Sequence, residues 1–162
     1  MVVEDAKGDK LCIDYALLET MTQTRVEENQ ISLGVGAKRQ RVWKFRNIER
    51  NEDVGGASVL KYGRTTATTG IVNGVASDIR GLARFLGITF KFHAVAGKLG
   101  TAFIRPGDSG CLVVTEDGAI LGLGCATGSS DELRKVDLGL YVPIGMILDR
   151  IESRYGLQLS LA

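Results

Sequence analysis

One serine lies in a setting that could make its hydroxyl a nucleophile. Ser109 belongs to the segment PGDSG at 106–110, and the apolar run CLVV at 111–114 follows. A serine hydroxyl attacks a carbonyl carbon only when a base takes its proton and N–H groups stabilise the developing oxyanion. Glycine tolerates positive φ, so the flanking glycines let the backbone turn sharply. The segment therefore predicts acyl-transfer chemistry, with the N–H groups of Gly107 and Ser109 as the oxyanion hole.

The surroundings of the tetrapeptide GDSG strengthen this interpretation. By itself the tetrapeptide suits any hairpin turn, and that alternative stays open. A glycine-rich loop over 97–109 precedes the serine, and a hairpin rich in glycine follows over 118–124. Such a loop between apolar strands is typical of a serine that is held in place by a rigid scaffold.

The elements that would position this loop are mostly strands. Polar and apolar residues alternate over 41–46 and 88–94, which is the period of a half-buried strand. Further strands are predicted at 58–62, 68–75, 112–114, 120–123 and 138–142. Segment 77–87 is predicted to be a short helix capped by Ser77 or an elaborated loop. A helix is predicted from Pro143 to about Tyr155, with Gly156 just after it.

The GDSG segment in this context resembles the nucleophile loop of chymotrypsin/trypsin-like serine peptidases. A second segment, DYALL at 14–18, is similar to the one that carries that family's catalytic aspartate. A third, KYGRTT at 61–66 followed by TTG at 68–70, resembles most closely the non-secreted trypsin-like peptidases of fungi.

This resemblance implies an all-β fold, a trypsin-like antiparallel β-barrel with a C-terminal α-helix. It implies a remnant of a first barrel and the connection over 1–40, a complete second barrel over 41–142, and the helix and tail over 143–162. The function implied is that of a serine endopeptidase acting on peptide or protein substrates.

The resemblance also implies roles for individual residues. Ser109 is the nucleophile, and Asp14 orients a histidine. The primary pocket is expected to involve Phe103, Gly122, Gly124 and Cys125. The acid that selects Arg or Lys in trypsin-type enzymes is absent, because Phe103 stands in its place. We therefore expect a preference for neutral side chains, and we expect Lys61 and Arg64 to support the fold.

The sequence does not contain the histidine in the family's expected place. Its one histidine, His93, lies in a predicted strand of the second barrel, which is a poor position for the base. Three interpretations remain open: a part of a longer peptidase whose N-terminal fragment supplies the histidine, a pseudopeptidase that binds or scaffolds proteins, and an enzyme that uses another base, a partner's histidine included.

Composition narrows the range of partners. The net charge is +1 and the charges are interspersed, so no basic stripe predicts nucleic-acid binding. Three widely spaced cysteines predict neither a disulfide framework nor a metal site, and no cofactor is implied. No apolar run is long enough to span a membrane. Because the N-terminal residues also lack the pattern of a signal peptide, an intracellular, cytoplasmic setting is expected.

Overall fold

Twelve strands and one α-helix make up the part of the chain that the structure describes. The structure is a computed structural model, and it describes residues 2–4, 10–12, 30–34, 40–50, 53–64, 67–75, 77–79, 90–129 and 137–158. The strands before the barrel are β1 (Val2–Glu4), β2 (Lys10–Cys12), β3 (Gln30–Gly34), β4 (Gln40–Lys44) and β5 (Asn47–Ile48). The others are β6 (Ser58–Tyr62), β7 (Ala67–Val72), β8 (Ser77–Ile79), β9 (Phe90–Gly97), β10 (Leu112–Thr115), β11 (Ala119–Ser129) and β12 (Asp137–Pro143). A 3-10 turn, Lys98–Gly100, follows β9, and α1 covers Ile144–Tyr155.

Six of these strands close into an antiparallel barrel. The hydrogen-bonded order is β10-β6-β7-β9-β12-β11, and β11 pairs again with β10, which completes the ring. Because the ring is closed, each barrel strand pairs with a neighbour on both sides over part of its length. Small barrels in this way avoid strands with an unpaired edge. The predicted barrel with a C-terminal helix is thereby confirmed. The strand predicted at 58–62 is β6, and the described part of the alternating segment at 88–94, residues 90–94, lies in β9.

Alternation along the strands separates the barrel interior from its outer face. The interior is filled by buried side chains from every barrel strand and from the loop after β9, namely Val59, Val72, Val95, Phe103, Ile104, Val113, Leu121 and Tyr141. Neighbouring residues in the same strands point the other way. Leu140 and Val142, on either side of Tyr141, belong to a second apolar cluster outside the barrel.

Helix α1 covers that second cluster. Ile147 and Ile151 lie one turn apart on the helix and pack with Phe92, Leu140 and Val142 of the barrel wall. The preceding residue, Pro143, is still in β12, and Gly156 ends the helix with φ 66°. Positive φ favours glycine at this position, so the predicted end of the helix is confirmed.

A close approach of two strands requires glycine at position 122. A Cβ placed on Gly122 would lie 2.2 Å from the carbonyl oxygen of Val142 and 2.5 Å from the ring of Tyr141. Neither atom can move away cheaply, because Gly122 pairs directly with Pro143 in the ladder between β11 and β12. The glycine-rich composition of β11 therefore serves the tight packing of its partner strand.

Two segments that the sequence analysis considered are covered only in part by the described residues. Of segment 77–87, which was predicted to be a capped helix or an elaborated loop, residues 77–79 form β8, paired with β9, and residues 80–87 lie outside the described residues. Ser77 belongs to a ladder because residues 90–92 of β9 offer it a paired strand, and tertiary pairing outweighs local capping preference. Of the apolar run at 11–18, only residues 11 and 12 are described, as part of β2, and Asp14 lies outside the described residues.

Raising the pH is expected to destabilise the barrel through Tyr141. Burial raises the pKa of this phenol well above its ordinary value, so the folded chain keeps the proton that the unfolded chain releases. The stability contributed by burying the neutral phenol is complete below the ordinary tyrosine pKa and is lost as the pH rises. The expected loss is up to about 1.4 kcal/mol per pH unit. Urea unfolding between neutral and alkaline pH measures it, and Tyr141→Phe should flatten the dependence. An equally steep loss in that variant would contradict the assignment.

Candidate active site

The loop that carries Ser109 is held by backbone hydrogen bonds. Its first turn is closed by the N–H of Asp108, which donates to the carbonyl of Arg105 at 3.0 Å. Its second is closed by the N–H of Cys111, which donates to the carbonyl of Asp108 at 2.9 Å. The N–H of Gly110 donates to the carbonyl of Gly124 in β11 at 2.8 Å, which ties the loop to the barrel. The loop therefore has a fixed shape relative to β11.

Two N–H groups in this loop remain available to a ligand. Neither Gly107 nor Ser109 donates its backbone N–H to an acceptor among the described residues, whereas the N–H groups of Asp108, Gly110 and Cys111 are all used. Gly107 has φ 93° and Gly110 has φ 85°, so the sharp turns depend on glycine, as predicted. Both Gly107 and Ser109 are exposed. An oxygen atom with negative charge could accept from both donors.

The hydroxyl of Ser109 makes one hydrogen bond, and it does not go to a base. The Ser109 Oγ donates to the carbonyl oxygen of Cys125 at 3.2 Å. That carbonyl is accessible because the ladder between β11 and β12 shifts register between Gly124 and Ala126, and Cys125 is the extra residue of the bulge. A backbone carbonyl cannot take a proton, so this contact orients the hydroxyl without activating it.

The residue beside the serine is anchored by a buried ion pair. Asp108 is 1% exposed and Lys61 is 0% exposed, and the two side chains pair directly. The Asp108 carboxylate also accepts from the N–H of Arg105 at 3.1 Å. A carboxylate buried to this degree is stable only with such partners. Through Asp108, Lys61 thus fixes the position of the backbone next to Ser109.

Lys61 was expected only to support the fold, and its link to the serine loop was missed. The signal was present in β6, because SVLKY places a lysine two residues after Val59, on the same face of the strand. Val59 faces the barrel interior. A lysine on an interior face needs a buried acid as its partner. The sequence does not say which acid that is, because Asp108 lies 47 positions further along the chain.

The segment after β6 runs along the same loop. A Cβ on Gly63 would lie 2.4 Å from the Asp108 carboxylate, so only glycine fits there. The next residue, Arg64, is exposed, and its Cδ lies 3.8 Å from the position that a Cβ would take on Gly107. Among the described residues no hydrogen bond or ion pair holds the Arg64 side chain. The Arg64 side chain therefore lies next to Gly107, one of the two residues whose N–H group is available.

The four residues predicted to line the primary pocket lie in different environments. Phe103 is 0% exposed and packs inside the barrel, with its ring edge near Gly70 and Gly139. A side chain with no exposed surface fills the core and does not line an open pocket in this structure. Gly122 and Gly124 are buried in β11, and the half-buried Cys125 is the one that contacts Ser109.

His93 lies away from the serine. It pairs with Tyr141 across β9 and β12, with the two ring centroids 5.5 Å apart, and Tyr141 pairs in turn with Gly124 of β11. Two strand spacings of about 4.8 Å each therefore separate the backbone of His93 from that of β11. The hydrogen bond of the Ser109 hydroxyl goes to Cys125 and not to His93. The structure does not bring the histidine and the serine together.

Strand β11 offers an unpaired edge that begins beside Ser109. Residues 126–129 pair with β12 on one side, whereas the pairing with β10 on the other side ends at Leu123. Within the described part of the chain, no strand pairs with that other side of 126–129. Ala126 and Thr127 are exposed there. An extended peptide could add to this edge by backbone hydrogen bonds.

Two cysteines near the site carry free thiols. Cys111 and Cys125 are free thiols. Burial raises the pKa of the Cys111 thiol, so it is not a ready nucleophile. In the described ranges, no group of three His, Cys, Asp or Glu side chains could hold a metal ion. Nor does any helix there have the length and apolar character needed to cross a membrane.

Solved structures show what this fold is. A chymotrypsin from Cellulomonas bogoriensis is 16% identical, with a TM-score of 0.53, over 78% of this chain and 59% of that one. Protease A from Thermobifida fusca is 18% identical, with a TM-score of 0.54, over 82% and 61%. A serine protease specific for glutamic acid is 19% identical, with a TM-score of 0.55, over 86% and 64%.

These likenesses establish the fold class. The chain has the fold of chymotrypsin/trypsin-like serine proteases, with the closed barrel and the C-terminal helix described above. It spans about three-fifths of the length of each of those three chains. No protein-family model matches the sequence, and no curated protein matches it.

Proposed function

We propose that this chain is the nucleophile-bearing part of a serine endopeptidase, in which Ser109 attacks the carbonyl carbon of a peptide bond. The observation that carries the proposal is the pair of available N–H groups, from Gly107 and Ser109, beside an exposed serine hydroxyl. Attack turns the carbonyl oxygen into an oxyanion, and two fixed donors stabilise that charge more than they stabilise the ground state.

The remaining steps need a base that takes the Ser109 proton and returns it to the leaving amine. His93 does not fill this role, because it lies against Tyr141. We propose that a histidine from outside these 162 residues enters near the Cys125 carbonyl, with Asp14 orienting it. The acyl side of the substrate would lie along the unpaired edge of β11. Since Cys111 and Cys125 are free thiols, we place this activity in a reducing, intracellular setting, as in the non-secreted fungal enzymes.

A fluorophosphonate probe tests the nucleophile directly, with imidazole added as a soluble base. We expect labelling of the purified chain to accelerate at least about tenfold with imidazole, because a base contributes most of the activation of a serine. Ser109→Ala should abolish the labelling. Ser153→Ala is the matched control, since Ser153 is also exposed and its hydroxyl also donates to a backbone carbonyl. Labelling that survives in Ser109→Ala, or that imidazole leaves unchanged, would contradict the proposal.

One observation favours a second function, that of a pseudopeptidase that binds proteins. The Ser109 hydroxyl is committed to the Cys125 carbonyl, and the edge of β11 can pair with a peptide without any cleavage. In that case Ser109→Ala would leave protein binding intact, and no partner histidine would be required. Labelling that stays absent at every imidazole concentration would favour this function.

A further inference from the structure

Two exposed arginines, Arg64 and Arg105, lie at the Ser109 loop. The loop's one acid, Asp108, is buried and its charge is balanced by Lys61. Arg105 directly precedes the loop in sequence, the Arg64 side chain lies beside Gly107, and both arginines are exposed. The N–H groups of Gly107 and Ser109, which donate to no acceptor among the described residues, add partial positive charge to the loop itself. This combination attracts an anion and not merely a neutral carbonyl.

We propose that this loop is a receptor for the C-terminal carboxylate of an extended peptide. One carboxylate oxygen accepts from the N–H groups of Gly107 and Ser109, and the Arg64 guanidinium supplies the opposite charge. The inference rests on the same loop as the proposed function and assigns it a ligand that it holds without cleaving. A hydrolysed acyl product would be one such ligand.

The unpaired edge of β11 explains why the ligand is a peptide. It starts at Cys125, whose carbonyl contacts Ser109, and it continues through exposed Ala126 and Thr127. A peptide that pairs with this edge brings its last residue to the Ser109 loop. Backbone hydrogen bonds along the edge supply affinity that does not depend on sequence.

The charge of Arg64 explains why the peptide ends there. The alkyl part of Arg64 lies against Gly107, so its guanidinium is within reach of an oxygen at the Gly107 N–H. A peptide that continued would present a neutral amide at this position, and the cation would gain no ionic partner. A terminal carboxylate has the charge and the two oxygens that an arginine binds best.

Three fluorescent tetrapeptides, each with its N-terminus blocked by the dye, test this proposal with the full chain. The first is Ala-Val-Ala-Leu with a free carboxylate, the second is its C-terminal amide, and the third is Ala-Val-Ala-Glu amide. We expect the free acid to bind at least about tenfold more tightly than its amide, as measured by fluorescence anisotropy. Arg64→Gln should remove most of that difference. Arg154→Gln, in the last turn of α1, makes the same change in net charge and should preserve it.

The outcomes separate this inference from the proposed function. Ser109→Ala retains its backbone N–H and should still prefer the acid, although it cannot be labelled by a fluorophosphonate. Equal binding of acid and amide, or no binding of either at ~1 mM, overturns the receptor whatever the labelling shows. Equal binding of the acid and the glutamate amide overturns the assignment to a chain terminus. An unchanged preference in Arg64→Gln overturns the role of that arginine.

Discussion

Replacing Lys61 with methionine is expected to lower the free energy of unfolding by about 3–5 kcal/mol. The reason is that Asp108, the buried partner of Lys61, remains in the variant. Asp108 is 1% exposed, and without Lys61 its charge would stay buried without the cation that balances it, although the N–H of Arg105 still donates to its carboxylate. Methionine has a similar length and restores the apolar contacts of the lysine stem, so the loss reports the missing charge and not a cavity. Urea denaturation measures it.

The same substitution is expected to disturb the serine. The side chain that Lys61 holds belongs to the residue between Gly107 and Ser109, and the two available N–H groups depend on the shape of this turn. We expect imidazole-dependent labelling of Ser109 to fall more than tenfold in the folded fraction of Lys61→Met, since misplaced oxyanion donors cost about that much or more.

Lys98→Met is the matched control for this change. Lys98 also pairs with an acid, Glu116, at 3.6 Å, but the two side chains are 38% and 62% exposed. A solvated pair of this kind contributes about 1 kcal/mol or less. The double variant Lys61→Met/Asp108→Asn should recover part of the lost stability, because it removes the unpaired charge. A loss below about 1 kcal/mol in Lys61→Met would show that the pair does not secure the loop.

Replacing Phe103 with alanine is expected to cost about 3–5 kcal/mol of stability. Its side chain has no exposed surface and packs against Val95 and Tyr141 in the barrel interior. Its carbonyl oxygen also accepts from the Thr68 hydroxyl at 2.6 Å, which fixes the backbone before the serine loop. Alanine would leave a cavity that the closed barrel cannot fill by collapse, because its six strands are paired all around.

This prediction decides between two roles for Phe103. The sequence placed it in the primary pocket, and a pocket residue would change peptide preference with little effect on stability. Tyr155→Ala is the control for removing an aromatic ring from the surface, since Tyr155 is 49% exposed, and it should cost about 1 kcal/mol or less. If Phe103→Ala lost as little stability as this, Phe103 would not be a core residue, and its predicted role in the primary pocket would be favoured.

The serine loop was predictable because its requirements are local. Turning the chain sharply around Ser109 needs glycine at 107 and 110, where φ is positive, and such a need shows in the sequence. The strand β9 and the helix α1 were predictable for a similar reason. Their polar and apolar residues repeat at the period of the element, and burial of one face then follows.

Segment 77–79 and the role of Lys61 were decided by partners far away in the chain. Ser77 can cap a helix or join a ladder with equal ease, and only the position of β9 makes it part of β8. Lys61 needs a buried acid, but several acids were available in the sequence. Closure of the barrel brought Asp108 to it, because β6 and β10 are neighbours in the ring.

What the sequence by itself determined is thus the class of fold, the glycine-flanked loop that carries Ser109 and the single histidine among these 162 residues, since each depends on residue types and short spacings. What only the tertiary structure decided is the environment of each side chain. It put Phe103 in the core, left the N–H groups of Gly107 and Ser109 available, and placed His93 against Tyr141. These outcomes depend on strand order and register, because a barrel fixes which distant residues meet and which face of a strand is buried.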